Sequence, residues 1–409
     1  MRRFIAVILA ALSLAACDRK PLPKAGDLQG EVDALVPKVE DAAGLKFKQA
    51  PKVASQSQAD VQAFLIAQFA RPDVRRDLDF KVAVWKRLGV VADSVDVVAV
   101  LTRLLTEQVV GFYDPRRKTL FVVEGRPGVE RETVIRHELT HALQDQYVNL
   151  DSMQNIQGDD DRVGAAQAVF EGHATVMMIG SAARTIAWDK ARESIREARA
   201  ANPAFSAAPA FLAEGLLFPY IGGAEFVRTA MGDGASSAQL LAELPTSTSQ
   251  VLHKEQWGAK GNAAEVVRFT PTGGATIRYQ NSLGEFETRL ALSELLGDVA
   301  RGSAAARGHD GDRYALLGMP GGDGFAWVVV WDTALDAEEF AEAFADASAR
   351  RYGARVVSTS GRREITAAGR RVTVRTDKID GRDLTIVEDL PAATKSPVVP
   401  VSAITIRAR

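Results

Sequence analysis

The run His137-Glu138-Leu139-Thr140-His141 limits what this chain can fold into more than any other feature of the sequence. Successive residues of an α-helix are about 100° apart around its axis, so His137 and His141 lie about 40° apart, one turn above the other. Two imidazoles in this arrangement can bind one metal ion. Glu138 lies about 100° from His137, where it can reach a metal-bound water without being a ligand. The spacing therefore predicts a helix with a metal-binding face and Glu138 as general base.

A zinc site of this kind needs a third protein ligand and one open position for water. The next predicted helix contains two candidates, Glu171 and His173, which are about 200° apart and cannot both face one metal. His173 shares its face with apolar residues, and a histidine so placed is more often a hydrogen-bonded core residue than a ligand. Glu171 lies on the more polar face, and Gly172 allows another helix to come close. We therefore favour Glu171 as the third ligand, with core packing, support of a ligand and ligation as the three alternatives for His173.

Composition excludes several other classes of protein. The 409 residues include 50 Lys+Arg, 52 Asp+Glu, 5 His and 1 Cys, with a formal net charge of −2 and 46% hydrophobic residues. This is ordinary globular composition, enough to bury a core in two or three lobes. A near-neutral chain offers no electrostatic reason to expect nucleic acid as a partner. A single cysteine excludes an intramolecular disulfide and a four-cysteine zinc site.

The N-terminus has the pattern of a targeting segment. Two arginines follow Met1, residues 4–16 are almost entirely apolar, and the segment ends Leu14-Ala15-Ala16-Cys17. This ending resembles the lipobox of bacterial lipoproteins. The resemblance implies that residues 1–16 are a signal peptide and that lipidated Cys17 anchors the chain in the cell envelope, facing the periplasm. Asp18 slightly favours the inner membrane. The alternative is an ordinary secretory signal, and we expect no later segment to span the membrane.

The rest of the pattern predicts an α+β fold that is mainly helical. A tether at 17–30 precedes a helical region at 31–110, and a short strand is expected at 119–123. Helices follow at about 130–148 and 162–183, with helical sequence continuing to about 244. We expect strands and one helix within 265–297, then a strand at 325–331, a helix at 337–351, strands at 372–376 and 384–387, and a loose tail at 391–409. His309 lies in a Gly- and Asp-rich stretch that indicates a loop.

Four motifs together resemble the gluzincin metallopeptidases, and more closely a poorly characterised group of bacterial secreted or lipoprotein forms. They are Gly111-Phe112-Tyr113-Asp114-Pro115, the run from Arg136 to Gln146, Glu171-Gly172, and Pro245 to His253. The resemblance covers about 105–260 well. It implies a zincin-like catalytic core at 111–260, followed by an α+β region at 261–390. After Glu171-Gly172 the group has Asp-Ala, whereas this chain has His173-Ala174.

The resemblance implies a zinc-dependent peptidase of the cell envelope that acts on a peptide or protein substrate. Zn²⁺ would be bound by the two histidines of the motif and Glu171. The strand at 119–123 would be an edge strand that pairs with an extended peptide. A second donor to the oxyanion is expected from His253, with Tyr220 as the next candidate. The alternative is a non-hydrolytic envelope scaffold or chaperone on a metallopeptidase fold. The oligomeric state is not indicated.

Overall fold

The computed structural model describes residues 28–124, 131–180, 201–258, 263–394 and 397–409, together with residues 190, 193 and 197. These residues form a mixed α+β structure, as the sequence predicts. The signal segment and Cys17 lie outside the described residues. The helices dominate the first two thirds of the chain, and a large antiparallel sheet forms most of the last third.

The N-terminal part and the central part share one small sheet and a group of packed helices. Their elements are α1 (Leu28–Ala43), β1 (Lys52–Gln56), α2 (Gln58–Phe69), α3 (Pro72–Leu88), α4 (Val97–Gln108), β2 (Gly111–Asp114), β3 (Thr119–Val123), α5 (Arg131–Gln144), α6 (Leu150–Gln154), α7 (Asp160–Ile179), α8 (Pro203–Ala207), α9 (Ala210–Gly232), α10 (Ser237–Ala242) and α11 (Thr248–Leu252). The strand order is β1-β3-β2, with β1 parallel and β2 antiparallel to β3. β1 lies within the region predicted to be helical, so that prediction is wrong for residues 52–56. Because β1 pairs with β3, this sheet joins the N-terminal region to the core.

The C-terminal part is a seven-stranded sheet with helices on one side. Its elements are β4 (Val266–Phe269), β5 (Thr276–Asn281), α12 (Gly284–Leu296), α13 (Val299–Ala304), β6 (His309–Met319), β7 (Gly322–Trp331), α14 (Ala334–Tyr352), β8 (Val357–Thr359), β9 (Arg362–Ala367), β10 (Arg370–Ile379), β11 (Arg382–Pro391) and β12 (Ile404–Arg407). The sheet order is β5-β6-β7-β11-β10-β9-β8, and β12 pairs separately with β4. The predicted strands and helix at 325–387 are all present, within longer elements.

Helix α7 is buried along nearly its whole length. It crosses α9 at a point where both helices have a glycine, Gly172 in α7 and Gly223 in α9. A Cβ atom added to Gly172 would lie 2.1 Å from the carbonyl carbon of Gly223, and one added to Gly223 would lie 1.9 Å from the backbone oxygen of Ala168. Both glycines therefore allow backbone-to-backbone contact, which confirms the close approach expected at Gly172. This crossing fixes the helix that bears Glu171 against α9.

The first turn of α7 is also held by both flanking regions. Lys81 of α3 is buried between Asp77 and Asp160, with N–O distances of 2.8 and 2.9 Å. The backbone N–H of Asp160 donates to the side chain of Asn281, and Asp161 accepts from the backbone N–H and the hydroxyl of Thr248. The N-terminal helices and the C-terminal sheet region therefore meet at the start of α7, and its position depends on both.

Three predictions about strands and loops are wrong. The strand at 119–123 is not an edge strand, because β1 and β2 pair with its two sides. His309 is not in a loop: it begins β6, is 3% exposed, and precedes a bulge at Gly311. The tail at 391–409 is not loose, since Val398 and Val399 are buried and donate backbone N–H groups to Glu388, and β12 completes a ladder with β4.

Helix α9 is long and apolar enough to span a membrane, although the sequence analysis expects no such segment after the signal. By length and composition alone its 23 residues are apolar enough to cross one. However, 61% of its most apolar window is buried inside the protein, where it packs against α7. The apolar composition of α9 is therefore explained by its place in the core of the described structure.

Candidate metal centre

The three predicted ligands lie together in the structure. The Nε2 atoms of His137 and His141 are 3.1 Å apart, and each is 3.2 Å from Oε2 of Glu171. All three side chains are buried. Four-coordinate zinc has ligand atoms at about 2.0–2.1 Å, which places them about 3.3 Å from one another in a tetrahedron. The observed triangle fits that requirement, and its atoms could bind one zinc ion with a fourth position left for water.

The pKa values of the three side chains reflect their close contact and their burial. Burial opposes protonation of His141, but Glu171, Glu138 and Gln144 together outweigh burial and raise the pKa of His141 to about 9. Burial likewise opposes ionisation of Glu171, but His141 and His137 lower its pKa to about 2. Burial lowers the pKa of His137, which is therefore the neutral imidazole of the pair. A carboxylate and two Nε2 atoms directed at one point are the donor set of a divalent cation.

Glu138 lies beside this triangle and is completely buried. By hydrogen-bond geometry neither of its carboxylate oxygens has a partner in the described part of the chain, although the backbone of Tyr113 is close enough to act on its pKa. Burial raises that pKa to about 8. An unpartnered carboxylate in the interior is costly to keep. Its position next to the metal triangle keeps it the candidate general base, and that role stays a prediction.

Strand β2 fixes the backbone next to Glu138. A Cβ atom on Gly111 would lie 2.6 Å from the side chain of Val134 and 3.4 Å from Cγ of Glu138, so only glycine lets the strand come this close. At the other end of the strand, the hydroxyl of Tyr113 donates to Asp145, 2.8 Å away and just after the end of α5. The motif Gly111–Asp114 therefore positions an edge strand along the helix that bears the histidines.

Gln144, which the sequence analysis did not single out, determines the tautomer of His141. Its Nε2 donates to the carbonyl oxygen of Phe170 at 2.9 Å, and a carbonyl can only accept, so the amide orientation is fixed. Its Oε1 therefore faces Nδ1 of His141, 2.9 Å away. Since an amide oxygen can only accept, Nδ1 carries the hydrogen, and the lone pair of neutral His141 is at Nε2, the atom in the metal triangle.

His173 is not a member of the triangle but supports it through Gln144. Its Nδ1 accepts the second N–H of Gln144 at 3.1 Å, and its Nε2 donates to the hydroxyl of Ser237 at 2.9 Å. Burial lowers the pKa of His173 to about 4, which keeps it neutral. Of the three alternatives for this residue, the structure places it as a hydrogen-bonded core histidine that touches a neighbour of a ligand.

The two candidate donors to an oxyanion lie in different places. His253 follows the last residue of α11, and its Nε2 is 2.7 Å from Oε1 of Glu285, whose hydrogen bond raises the pKa of His253. His253 is thus hydrogen-bonded to Glu285 of α12, and its role as a donor to the oxyanion stays a prediction. Tyr220 of α9 instead stacks on His137, with ring centroids 6.1 Å apart.

Residues 275–399 match the family model of a domain of unknown function, DUF8575. The matched stretch contains all seven strands of the large sheet and helices α12 to α14. It includes none of the residues of the metal triangle. Neither the curated proteins nor the solved structures contain a match to this chain.

Proposed function

We propose that this protein is a zinc-dependent peptidase with a gluzincin-type, zincin-like core, tethered in the bacterial cell envelope through Cys17. The observation that supports the peptidase most strongly is the combination of the triangle of His137, His141 and Glu171 with the buried carboxylate of Glu138 beside it. Three ligands and an open position are typical of catalytic rather than structural zinc. The tether is supported by the run Leu14-Ala15-Ala16-Cys17, which resembles a lipobox.

The bound metal would polarise the scissile carbonyl and make water a stronger nucleophile at neutral pH. The protein groups supply the remaining steps. His137 and His141 offer Nε2 and Glu171 offers Oε2 to the metal, while Gln144 keeps His141 in the required tautomer. Glu138 accepts a proton from the attacking water at a carboxylate oxygen and passes it to the amine that leaves.

One further residue, Tyr220, and one strand, β2, have proposed roles in binding the substrate. Tyr220 is the candidate to donate a hydrogen bond to the oxyanion, since its ring lies on that of His137. If the peptide backbone adds a strand to the small sheet, β2 is the strand that it would pair with near Glu138, because both sides of β3 are already paired. An alternative without hydrolysis, the envelope scaffold, would leave the buried carboxylate of Glu138 without a use.

The test pairs zinc content with turnover. The full chain should bind one zinc ion, measured by mass spectrometry, and cleave members of a broad peptide library in a chelator-sensitive way. Glu138→Gln should keep the zinc and lose about 10²–10⁴-fold in turnover, the range for a general base. The matched control is Glu132→Gln, the same change on an exposed residue of the same helix that pairs with Lys38. Zinc binding without any cleavage would support the scaffold instead.

A further inference from the structure

A cleft of about 530 Å³ separates α3 from the first strands of the seven-stranded sheet. Arg76, Phe80 and Arg87 of α3 line one wall, and residues of β5, β6 and β7 line the other. None of the three residues of the metal triangle lines this cleft. Its volume lies within the range of about 300–1,000 Å³ that is typical of sites for small molecules.

The wall from α3 is one face of the helix, with an arginine near each end. By helix geometry, four residues lie within about 60° of one another around the axis: Arg76, Phe80, Ala83 and Arg87. Arg76 and Arg87 are about 16 Å apart along that axis, with the two apolar residues between them. Trp85 lies on the opposite face of α3 and lines a separate cavity beside the metal triangle. The cleft is therefore on the outer side of α3 and away from the proposed reaction centre.

The cleft contains more positive than negative side chains. Four arginines and two aspartates line it: Arg75, Arg76, Arg87, Arg278, Asp79 and Asp323. Arg76 has no ion pair with the described residues, and its guanidinium lies 5.8 Å from the centre of the Phe80 ring. Arg87 is 3.7 Å from Asp389, a carboxylate that Arg370 already binds at 2.8 Å. These two arginines of α3 are therefore the most available to an anion that enters the cleft.

The other two arginines keep hydrogen-bond donors for a ligand. Nε of Arg75 is 2.8 Å from Asp79, and Nη1 of Arg278 is 2.7 Å from Asp323. All four side chains are more than half exposed, and ion pairs between exposed side chains are weak because water screens them. A guanidinium has five N–H donors, and each of these pairs uses one. These arginines can therefore donate to an anion without breaking either ion pair.

We propose that this cleft binds a phosphate monoester, with the phosphate on the guanidinium of Arg76 and the organic part against Phe80 and Ala83. A guanidinium binds phosphate through two parallel N–H bonds. A phosphate monoester carries a charge of about −1.5 to −2 at pH 7. This charge matches the excess of two positive charges among the side chains that line the cleft. The cleft shares no residue with the metal triangle, so this site does not depend on the proposed peptidase function.

A ligand in the cleft would join the N-terminal helices to the C-terminal region. Arg278, Leu316 and Asp323 belong to the stretch that matches DUF8575, whereas Arg76 lies about 200 residues before it. The phosphate could belong to a free ester or to a phospholipid with a terminal phosphate, since the two have the same headgroup chemistry. Two soluble probes distinguish these sources. One is glycerol 3-phosphate, and the other is dihexanoyl phosphatidic acid, which adds two short acyl chains to the same headgroup.

The experiment measures binding of both probes to the full chain by calorimetry, with and without a metal chelator. At least one probe should bind the parent protein with a Kd of about 1 mM or lower, and glycerol should not bind. Arg76→Gln should weaken this binding about tenfold or more, because it removes hydrogen bonds to a charged group. Arg76 is exposed and glutamine is a comparable helix former, so the variant should fold. The matched control, Arg103→Gln, changes an exposed arginine of α4 outside the cleft and should leave the affinity unchanged.

The ratio of the two affinities identifies the source of the phosphate. Binding of the lipid about tenfold or more tightly than glycerol 3-phosphate would support the cleft with a phospholipid as its ligand, and any smaller ratio would support it with a free ester. No binding of either probe, or equal affinity of the parent and Arg76→Gln, would overturn the proposal. Binding that the chelator abolishes would place the phosphate on the metal and would also overturn it. Since no readout involves cleavage, failure of the proposed peptidase function would leave these outcomes unchanged.

Discussion

Gln144 is predicted to control zinc affinity through a single hydrogen bond, and two substitutions can separate that bond from packing. Gln144→Met keeps the length of the side chain and removes its hydrogen bonds to His141, Phe170 and His173. Gln144→Glu keeps an oxygen that can accept from Nδ1 of His141 but loses both N–H donors. If the bond to His141 matters, the two variants should differ in zinc affinity although both lose stability.

The structure sets the expected magnitudes. Gln144 is completely buried, so each partner that it leaves unsatisfied costs about 1–3 kcal/mol, and both variants should lose several kcal/mol of unfolding free energy without zinc. Loss of a residue that orients a metal ligand weakens metal binding about 10–100-fold, which is the expectation for Gln144→Met. Gln144→Glu should stay within a few-fold of the parent, since a carboxylate holds the same tautomer of His141.

The assay is competition for zinc with a chromophoric chelator, combined with denaturant unfolding with and without zinc. A 10–100-fold weaker Kd should reduce the stabilisation by excess zinc by about 1.4–2.7 kcal/mol in Gln144→Met. The reasoning would be refuted by equal losses of zinc affinity in Gln144→Met and Gln144→Glu. Packing around Gln144, and not its bond to Nδ1 of His141, would then position the ligand.

Two other predictions concern the N-terminus and the start of α7. Cys17→Ser should block lipidation and leave the signal segment uncleaved, and an intact mass showing an unmodified mature terminus elsewhere would contradict the proposed anchor. Burial raises the pKa of Asp161 to about 6. The contribution of Asp161 to the free energy of unfolding is therefore complete below about pH 4 and is lost as the pH rises through 6, a change of about 3 kcal/mol at most. Asp161→Asn, which keeps an oxygen for Thr248, should flatten this fall in denaturant unfolding between pH 4 and 7, and an unchanged profile would exclude Asp161 as its source.

The parts of the fold that follow from local sequence were the predictable ones. The periodicity of apolar residues predicted α5 and α7 within a few residues, and the 40° between His137 and His141 follows from helix geometry alone. Helix faces also favoured Glu171 over His173, in agreement with the triangle in the structure. The same reasoning did not predict that Glu171 is buried, because the polar face of a helix usually faces solvent. Here α5 covers that face and supplies His137 and His141 as partners of Glu171.

The errors arise where residues distant in sequence pair with one another. β3 became a central strand because β1, more than sixty residues earlier, pairs with it in parallel. The tail is ordered because β12 finds β4 about 135 residues upstream. His309 begins a strand although glycines surround it, because Gly311 adopts a φ of 144° at a bulge where an added Cβ would lie 2.3 Å from the backbone oxygen of Glu265. No local pattern contains these partners.

The same distinction separates the metal triangle from the cavity beside it. The metal triangle comes from α5 and α7, two helices whose signals lie within 35 residues of sequence, so a motif can specify it. A cavity beside it is lined by Trp85 from before the motif and by Phe286 from more than a hundred residues after Glu171. Lys81 and Thr248 hold these two regions at the start of α7. A change in the C-terminal region could therefore alter this cavity without touching a ligand. It follows that the C-terminal region should be exchanged or mutated when this cavity is studied, and α5 and α7 when zinc binding is studied.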